Sequence, residues 1–269
     1  MTFYKYIFSV VTYRNFEDLI DLLNSISNSV TSSYKVIIVN NFFDEVSENE
    51  IKKISIKYNC DFISASNKGY GTGNNIAINF ALKNYTFEYL IVSNPDIVIE
   101  QFEDSNLNPK CDIIAPEIIT VTGNKQNPMT VFDIPLANRL IYLGLKRNNK
   151  LFFVGGVSIN KLVRIIARLI FSFTPKRMHK IYMVHGAFFL LSYNVIKKLA
   201  PLYDEKMFLF AEENYLAIRF KRNGIRSWYT NQIQVLHKED GSMKFRDDVN
   251  NQLRASNIYV YENYYKRGN

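Results

Sequence analysis

The chain has 269 residues, of which 47% are hydrophobic and 14% aromatic, and a formal net charge of +8. This apolar content excludes an intrinsically disordered chain, and the length is sufficient for one large domain or a domain with an appendage. Cys60 and Cys111 provide neither a disulfide framework nor metal-ligand spacing, which favours a reducing cytosolic environment. The positive charge favours an anionic partner, and composition alone leaves nucleic acid, a phosphorylated ligand and an acidic membrane open.

Strand and helix patterns alternate along the first hundred residues. The N-terminal apolar run soon meets charged residues, so it predicts a first strand and not a signal peptide or a membrane span. The predicted order is strand 7–12, helix 16–26, strand 34–39, helix 51–58, strand 61–65, helix 73–83 and strand 89–93. This alternation predicts an α/β fold with a Rossmann-like, doubly wound and mostly parallel sheet.

The middle of the chain is less regular. Short strands are predicted at 112–115 and 118–121, and 122–135 is rich in turn residues. Residues 160–180 mix cationic and aliphatic side chains without a single acid, and Thr174-Pro175 interrupts them. The pattern predicts a basic amphipathic helix that either contacts a membrane surface or packs on the core with its cations in water.

Regular elements resume in the last third. The pattern predicts a strand at 181–191, a short helix at 193–199, a helix at 212–222, a strand at 227–236 and a Tyr-rich closing helix at 245–266. The sequence contains no internal repeat and no low-complexity linker.

The tripeptide Asn94-Pro95-Asp96 follows a short, apolar and β-branched run that predicts a buried strand. Pro95 has no N–H to donate and ends the strand, so Asp96 lies just beyond its carboxyl end. Open α/β sheets bind their ligands at that edge, and a carboxylate there can hold a divalent cation. The alternative is an ordinary Asn-Pro-Asp turn.

A glycine-punctuated loop precedes the third helix. Gly69, Gly71 and Gly73 would let the backbone approach a phosphate or sugar hydroxyls at a helix N-terminus. The spacing is neither a dinucleotide fingerprint nor a Walker loop. Glycines that only shape a turn are the alternative.

Two acids open the helix at 212–222. Glu212 has the position of a residue that complements the helix dipole. Glu213, beside Phe210 and Tyr215, is a candidate general base if it lies in a cleft that raises its pKa.

The three histidines have different settings. His179 belongs to the basic cluster, which predicts a solvated side chain, and His185 lies in an apolar run typical of a hydrogen-bonded core histidine. His237 ends a predicted strand, where a neutral imidazole can bind a metal or a phosphate.

In this order the motifs resemble the family 2 glycosyltransferases, in particular the branch of bacterial rhamnosyltransferases and of O-antigen or capsule sugar transferases. The resemblance covers nearly the whole chain. It rests on Thr12-Tyr13, Val39-Asn40-Asn41, the Asn67–Asn75 loop, Asn94-Pro95-Asp96, Gly186 with Phe189, the segment from Asp204 to Arg219, and His237 followed by Gly241-Ser242.

The resemblance implies a GT-A fold with a nucleotide-sugar half (1–106), an acceptor and catalytic-base half (107–244) and a C-terminal helix (245–269). It implies Glu213 as the base, and Mg²⁺ or Mn²⁺ held by Asp96, with His237 as a second candidate ligand. The implied donor-binding residues are Thr12, Tyr13, Asn40, Asn67, Gly69, Tyr70, Gly73, Asn75 and Asn94. The implied acceptor-side residues are His185, Gly186, Asp204, Glu212 and Arg219.

The expected activity is inverting transfer of a sugar from a dTDP- or UDP-linked donor to a hydroxyl of a lipid-linked glycan in bacterial surface polysaccharide synthesis. The expected location is the inner face of the cell membrane, contacted through 160–180, and no nucleic-acid partner is expected. Departures from the family are Asn40 and Asn94 in place of Asp, and Glu213 in place of the more usual Asp. Asn40 and the single charged metal ligand leave a second hypothesis open, a non-catalytic nucleotide- or glycan-binding subunit.

Overall fold

The computed structural model describes residues 1–14, 16–105, 107, 111–239 and 249–266. The strands are β1 (Thr2–Thr12), β2 (Tyr34–Phe42), β3 (Asp61–Ser66), β4 (Tyr85–Ser93), β5 (Ile97–Phe102), β6 (Ile113–Thr120), β7 (Met178–Ile181), β8 (Phe188–Ser192) and β9 (Ser227–His237). The helices are α1 (Glu17–Ser29), α2 (Glu45–Lys57), α3 (Tyr70–Asn84), α4 (Pro135–Lys146), α5 (Lys150–Phe173), α6 (Tyr193–Leu199), α7 (Glu212–Arg222) and α8 (Val249–Val260), with a π-helical turn at Tyr261–Tyr265.

The described strands form a single mixed sheet in the order β3-β2-β1-β4-β8-β6-β9-β5, with β7 paired to β9. The strands β3, β2, β1 and β4 are parallel neighbours, which confirms the doubly wound half. Antiparallel β8 joins β4 to the second half of the sheet. All four parallel strands therefore end at one edge, where the polar motifs of the first hundred residues follow them.

Both faces of the parallel half are covered, which explains why its strands are nearly continuous apolar runs. On one face, Ile7 and Ile37 pack with Ala77 and Ile78 of α3. On the other face, Phe8 packs with side chains of α1 and α2. Side chains alternate between the faces because successive residues of a strand point in opposite directions.

Two strand predictions in the second half were wrong in detail. The two strands predicted at 112–121 are one strand, β6, whose register on β9 shifts between Pro116 and Glu117. A proline has no N–H for the ladder and is tolerated at such an irregularity. The strand predicted at 181–191 is interrupted by 182–187, so His185 and Gly186 lie in the connection between β7 and β8.

The basic amphipathic helix is longer than predicted. α5 begins at Lys150, where the side chain of Asn149 accepts hydrogen bonds from the N–H groups of Leu151 and Phe152, and it ends at Phe173 before Thr174-Pro175. It packs on α4 as a helical hairpin. A Cβ added to Gly144 of α4 would lie 2.4 Å from the backbone nitrogen of Phe153, so glycine permits this close approach.

The C-terminal segment packs back on the second half. The predicted closing helix is α8 followed by the π-helical turn, while residues 245–248, together with Gly241 and Ser242, lie outside the described residues. The hydroxyls of Tyr259 and Tyr264 donate to Asp204, and Tyr265 donates to Asp133. No helix in the described ranges combines the length and apolar character needed to cross a membrane.

Candidate active site

The ends of β1 and β2 carry polar and aromatic side chains. Thr12 donates a 3.4 Å hydrogen bond to Oδ1 of Asn40, and both side chains are buried. Tyr13 packs edge-on against Phe43 at 5.6 Å between ring centroids, and the guanidinium of Arg14 lies 3.9 Å from the centre of the Phe43 ring. An exposed ring flanked by a second ring and a cation is suited to stacking on a flat, electron-rich group.

The glycines before and within α3 serve close packing. A Cβ at Gly69, whose φ is +104°, would lie 2.2 Å from the carbonyl oxygen of Phe208. At Gly71 it would lie 2.8 Å from Cβ of Tyr203, and at Gly73 2.8 Å from a methyl of Val11. The structure therefore gives these glycines the shaping role that the sequence left as an alternative. The helix begins at Tyr70, three residues earlier than predicted, so two of the three glycines are helical.

Two polar residues of this segment hold backbone. Asn75 is 1% exposed; its amide donates to the carbonyl of Tyr203 and its oxygen accepts from the Tyr203 N–H. Asn67 accepts a hydrogen bond from the N–H of Gly69 and fixes the turn before α3. Both residues, predicted to bind the donor, have positioning contacts in the structure.

Asp96 and His237 lie side by side. Ile97 of β5 pairs with His237 of β9, and the Lys238 N–H donates to the carbonyl of Asp96. This register brings the Asp96 carboxylate, which is 2% exposed, to 3.4 Å from Nε2 of His237. Asn94, directly before Pro95, donates its N–H to the carbonyl of Ala187 and keeps a partly exposed side chain.

Gln126 fixes the tautomer of His237. The amide nitrogen of Gln126 donates to Glu239, so its oxygen is the atom that lies 2.8 Å from Nδ1 of His237. Because that oxygen can only accept, Nδ1 carries the hydrogen, and a neutral imidazole then presents its Nε2 lone pair on the side of Asp96. A lone pair and a carboxylate oxygen at this separation fit a proton or a metal ion between them.

The side chains at this position could supply only part of the ligand set of a cation. Within the described ranges, no group of three or more His, Cys, Asp or Glu side chains is arranged to hold a metal ion. The pair of Asp96 and His237 would supply two ligands. Mg²⁺ is commonly bound through one or two carboxylates together with substrate phosphates and water, so a two-ligand site is compatible with a phosphorylated ligand.

Glu213 lies beside the 182–187 connection. Its carboxylate accepts a 3.3 Å hydrogen bond from the N–H of Gly186, and its side chain keeps partial exposure. Burial within dense protein raises the pKa of Glu213 above the ordinary value for a glutamate. A carboxylate whose pKa is raised towards neutral pH is suited to act as a general base.

Glu212 differs from the sequence interpretation. It is 6% exposed, and its Oε1 is buried with no hydrogen-bond partner among the described residues. Burial first, and the neighbouring Glu213 charge second, raise the pKa of Glu212 to about 8. A dipole-complementing residue would face water, so desolvation outweighs the helix dipole here.

Tyr70 connects the two acidic ends of the site. Its hydroxyl donates a 3.1 Å hydrogen bond to the carbonyl of Gly186, the residue whose N–H binds Glu213. Burial raises the pKa of Tyr70, and the charges of Glu212, Glu213 and Asp96 raise it further. The 185–187 turn therefore contacts both segments: Gly186 binds Glu213, and Ala187 accepts the N–H of Asn94, two residues before Asp96.

No protein-family model matches the chain. The low-salt glycan biosynthesis hexosyltransferase Agl10 of Haloferax volcanii is 22% identical over 264 residues, covering 92% of this chain and 74% of that protein. GalNAc-T7, solved with UDP, GalNAc and Mn²⁺, aligns with a TM-score of 0.60 and 11% identity over 89% of this chain and 44% of its own. Staphylococcus aureus TarS aligns with a TM-score of 0.55 and 13% identity over 100% of this chain and 45% of its own.

The fold is GT-A. The chain spans less than half the length of GalNAc-T7 and of TarS, and 74% of the shorter TarS 1–349. At these identities the likeness to the solved structures concerns the fold.

The remaining acceptor-side predictions occupy the second half of this GT-A fold. His185 is partly exposed, and burial followed by the charge of His237 lowers its pKa to about 4, so the imidazole is neutral near pH 7. The Asp204 carboxylate accepts hydrogen bonds from two tyrosine hydroxyls of the C-terminal segment. Arg219 donates to the carbonyls of Pro201 and Leu202. Asp204 and Arg219 therefore hold the 201–211 loop over α3.

Sequence reasoning missed three residues of the candidate site. Phe43 follows β2 and had no motif to mark it, and Gln126 lies in a turn-rich stretch. Tyr203 is 2% exposed, packs edge-on against Tyr70 at 6.3 Å between centroids, and its hydroxyl has no hydrogen-bond partner in the described part of the chain. Tyr203 gives no sequence signal, because its neighbours Tyr70 and Gly71 belong to a distant element, α3.

Proposed function

We propose that the protein is an inverting glycosyltransferase that moves a sugar from a nucleoside-diphosphate donor to an acceptor hydroxyl. The observation that carries the proposal is the placement of two acidic groups beside the 185–187 turn. One is Glu213, which accepts the Gly186 N–H and has a pKa raised by burial. The other is the carboxylate–imidazole pair of Asp96 with His237, whose ring centroid lies 5.8 Å from that of His185. The hexosyltransferase similarity and the GT-A fold support the same reaction class.

In this mechanism Glu213 takes the proton of the acceptor hydroxyl. The raised pKa of Glu213 is closer to the pKa of the acceptor hydroxyl, which makes the proton transfer more favourable. The Gly186 N–H fixes the position of the Glu213 carboxylate. General-base assistance of this kind is worth about 10²–10⁴ in rate. Attack from the side of Glu213, opposite the leaving diphosphate, gives inversion.

Asp96 and Nε2 of His237 would hold Mg²⁺ or Mn²⁺, which when bound supplies positive charge for the departing diphosphate. The neutral His185 adds no positive charge next to this pair, and Gln126 holds the His237 ring in the tautomer that exposes Nε2. These residues orient the site before any ligand arrives.

The donor in this proposal is a UDP- or dTDP-linked sugar. The ring of Phe43, with Tyr13 and Arg14 beside it, provides a stacking surface for a base at the ends of the first two strands. The solved GalNAc-T7 contains UDP and Mn²⁺, which supports this choice. Asn40 is buried with its amide nitrogen unpartnered within the described residues, which leaves a donor group at the same edge of the sheet.

The acceptor in this proposal is a lipid-linked glycan of bacterial surface polysaccharide synthesis, as in the rhamnosyltransferase, O-antigen and capsule branch. The protein would work as a peripheral protein at the inner face of the cell membrane, contacted through 160–180. The acid-free cationic composition of that segment supports this location.

Incubation with a panel of nucleotide sugars and a lipid-linked acceptor, with and without Mn²⁺, tests the proposal. We expect transfer with one donor class, and a loss of about 10²–10⁴ in Glu213→Gln. Glu50→Gln, at a partly exposed carboxylate that pairs with Lys53 at the surface, is the matched control and should transfer normally. Undiminished transfer in Glu213→Gln would rule out the assigned base.

The second hypothesis is a non-catalytic nucleotide- or glycan-binding subunit with the same fold. The specific observation in its favour is that the protein offers one carboxylate and one imidazole for a metal, with Asn40 in place of an acid. Calorimetric binding of a nucleoside diphosphate without turnover of any donor would favour it over the enzyme.

A further inference from the structure

The hairpin of α4 and α5 presents an apolar face with nothing packed on it in the described structure. Of the 24 residues of α5, only Gly156 and Ala167 are buried. Ten large apolar side chains of α5 are at least 36% exposed, up to 86% at Phe173. Six of them form a continuous stripe at helical spacing: Leu162, Ile165, Ile166, Leu169, Ile170 and Phe173. An exposed apolar surface of this extent is typical of an interaction site.

The arginines of α5 do not lie on the outward face with this stripe. Nη2 of Arg168 donates to the carbonyls of Lys125 and Asn127 at 2.6 and 2.8 Å, so this guanidinium attaches the helix to the protein. Arg164 is half-buried, and burial lowers its pKa. The sequence left two alternatives open, cations at a membrane surface or cations in water on a helix packed against the core. The structure instead turns Arg164 and Arg168 inward and the aliphatic residues outward.

The charge around the hairpin selects an anionic partner. From Ile134 to Tyr203 the chain contains twelve of its 33 Lys and Arg residues and none of its 25 Asp and Glu residues. The rest of the chain therefore has four more acids than bases. Lys150 and Lys161 of α5 are exposed, as are Lys176 and Arg177 just beyond its end. Two such surfaces from two copies of the chain would repel each other, which disfavours a self-interface.

We propose that the α5 stripe inserts into the interface of an anionic lipid bilayer, with the helix lying in the membrane plane and the flanking cations at the headgroups. An amphipathic helix with an apolar face and basic flanks binds membranes in this way. The inference deepens the proposed function, because a lipid-linked acceptor would lie in the same bilayer. Binding itself requires no glycosyl transfer.

Flotation with vesicles of phosphatidylglycerol and phosphatidylcholine tests the insertion. We expect the full-length protein to float, and to remain largely bound in about 1 M NaCl, where the Debye length is only about 3 Å. Ile166→Asn/Leu169→Asn/Phe173→Asn should reduce binding by at least about tenfold, because it removes inserted apolar surface. These side chains are exposed, so the variant should fold, and circular dichroism checks this.

The matched control places the same type of change elsewhere. Val46→Asn/Ile56→Asn alters two side chains of α2 that are 73% and 72% exposed, and it should float like the unaltered protein. Wild-type protein that stays in solution, or a stripe variant that binds normally, would overturn the proposal. A dimer in analytical ultracentrifugation that the stripe variant dissociates would overturn it in favour of a self-interface. If neither the wild-type protein nor Glu213→Gln transfers a sugar but both float with the vesicles, the enzymatic proposal fails and the membrane proposal stands.

Discussion

The backbone N–H of Gly186 donates a hydrogen bond of 3.3 Å to Oε1 of Glu213. The carbonyl of Gly186 accepts a hydrogen bond from the hydroxyl of Tyr70. A Cβ at this position would lie 2.8 Å from Oε1 and 3.2 Å from the carboxyl carbon of Glu213. The absence of a side chain at residue 186 therefore allows the proposed base to approach the backbone that orients it.

Gly186→Ala is expected to displace the Glu213 carboxylate and to lower kcat by about tenfold or more, since small misplacements of a catalytic group are costly. KM for the donor should change little, because the donor contacts that we propose lie at the ends of β1 and β2. Steady-state kinetics with the acceptor saturated measures both constants.

Gly155→Ala is the control for this substitution. Apart from its chain neighbours and the backbone of its own helix, no atom of the described residues lies within 4 Å of a Cβ placed there, and the position is inside α5. Alanine should stabilise the helix by about 0.5–1 kcal/mol without changing kcat. Equal kcat values for Gly186→Ala and the unaltered protein would contradict the positioning role of Gly186.

Glu212→Gln is expected to change how stability depends on pH. The folded state raises the pKa of Glu212 from 4.5 to about 8. A raised pKa contributes stability that is fully present below about pH 4.5 and is lost as pH rises through about 8, since the folded protein resists ionising this group. The variant has no ionisable group at this position, so the Tm of the variant minus the Tm of the wild type should increase between about pH 5 and pH 9.

For a chain of this size, each kcal/mol of free energy of unfolding that depends on this ionisation should change the Tm difference by about 2–4 °C. Thermal unfolding monitored by circular dichroism across this pH range measures it. Glu50→Gln, which removes a surface carboxylate, should show no such divergence. Parallel Tm curves for Glu212→Gln and the wild type would mean that the burial of Glu212 does not penalise its charge.

Gln126→Leu is expected to weaken metal binding. Gln126 accepts the Nδ1–H of His237, and loss of such a supporting contact to a metal-binding histidine typically costs about 10–100-fold in affinity. Mn²⁺ titration in the presence of a nucleoside diphosphate, followed by electron paramagnetic resonance, measures the affinity. Gln101→Leu on β5 is the control, because its amide contacts only the carbonyl of Gln232 in the described structure. Unchanged Mn²⁺ affinity would contradict the role of Gln126.

Asn75→Ala is expected to destabilise the protein by about 1–3 kcal/mol. The substitution leaves the buried N–H and carbonyl of Tyr203 without their partners, and each unmade buried hydrogen bond carries a desolvation cost. Urea unfolding measures the change. Asn79→Ala, at an exposed position of the same helix, should be neutral or slightly stabilising because alanine favours helices. Equal midpoints for the two variants would contradict the positioning role of Asn75.

The sequence by itself determined the doubly wound half of the fold and the edge of the sheet at which Asp96 and Asn40 lie. It also determined the end of α5 at Thr174-Pro175. These features follow from local patterns: the alternation of apolar runs with helical periodicity, and the inability of proline to continue a strand or a helix. These features can be predicted from the sequence because each depends on residues only a few positions away in the chain.

Only the tertiary structure decided which groups meet. The pairing of Asp96 with His237 depends on the register of β5 on β9, and the burial of Glu212 depends on what packs over the start of α7. The inward direction of Arg168 depends on carbonyls more than forty residues earlier in the chain. Desolvation, hydrogen-bond partners and the outward face of a helix are set by contacts between distant segments, and a one-dimensional pattern carries no information about which segments those are.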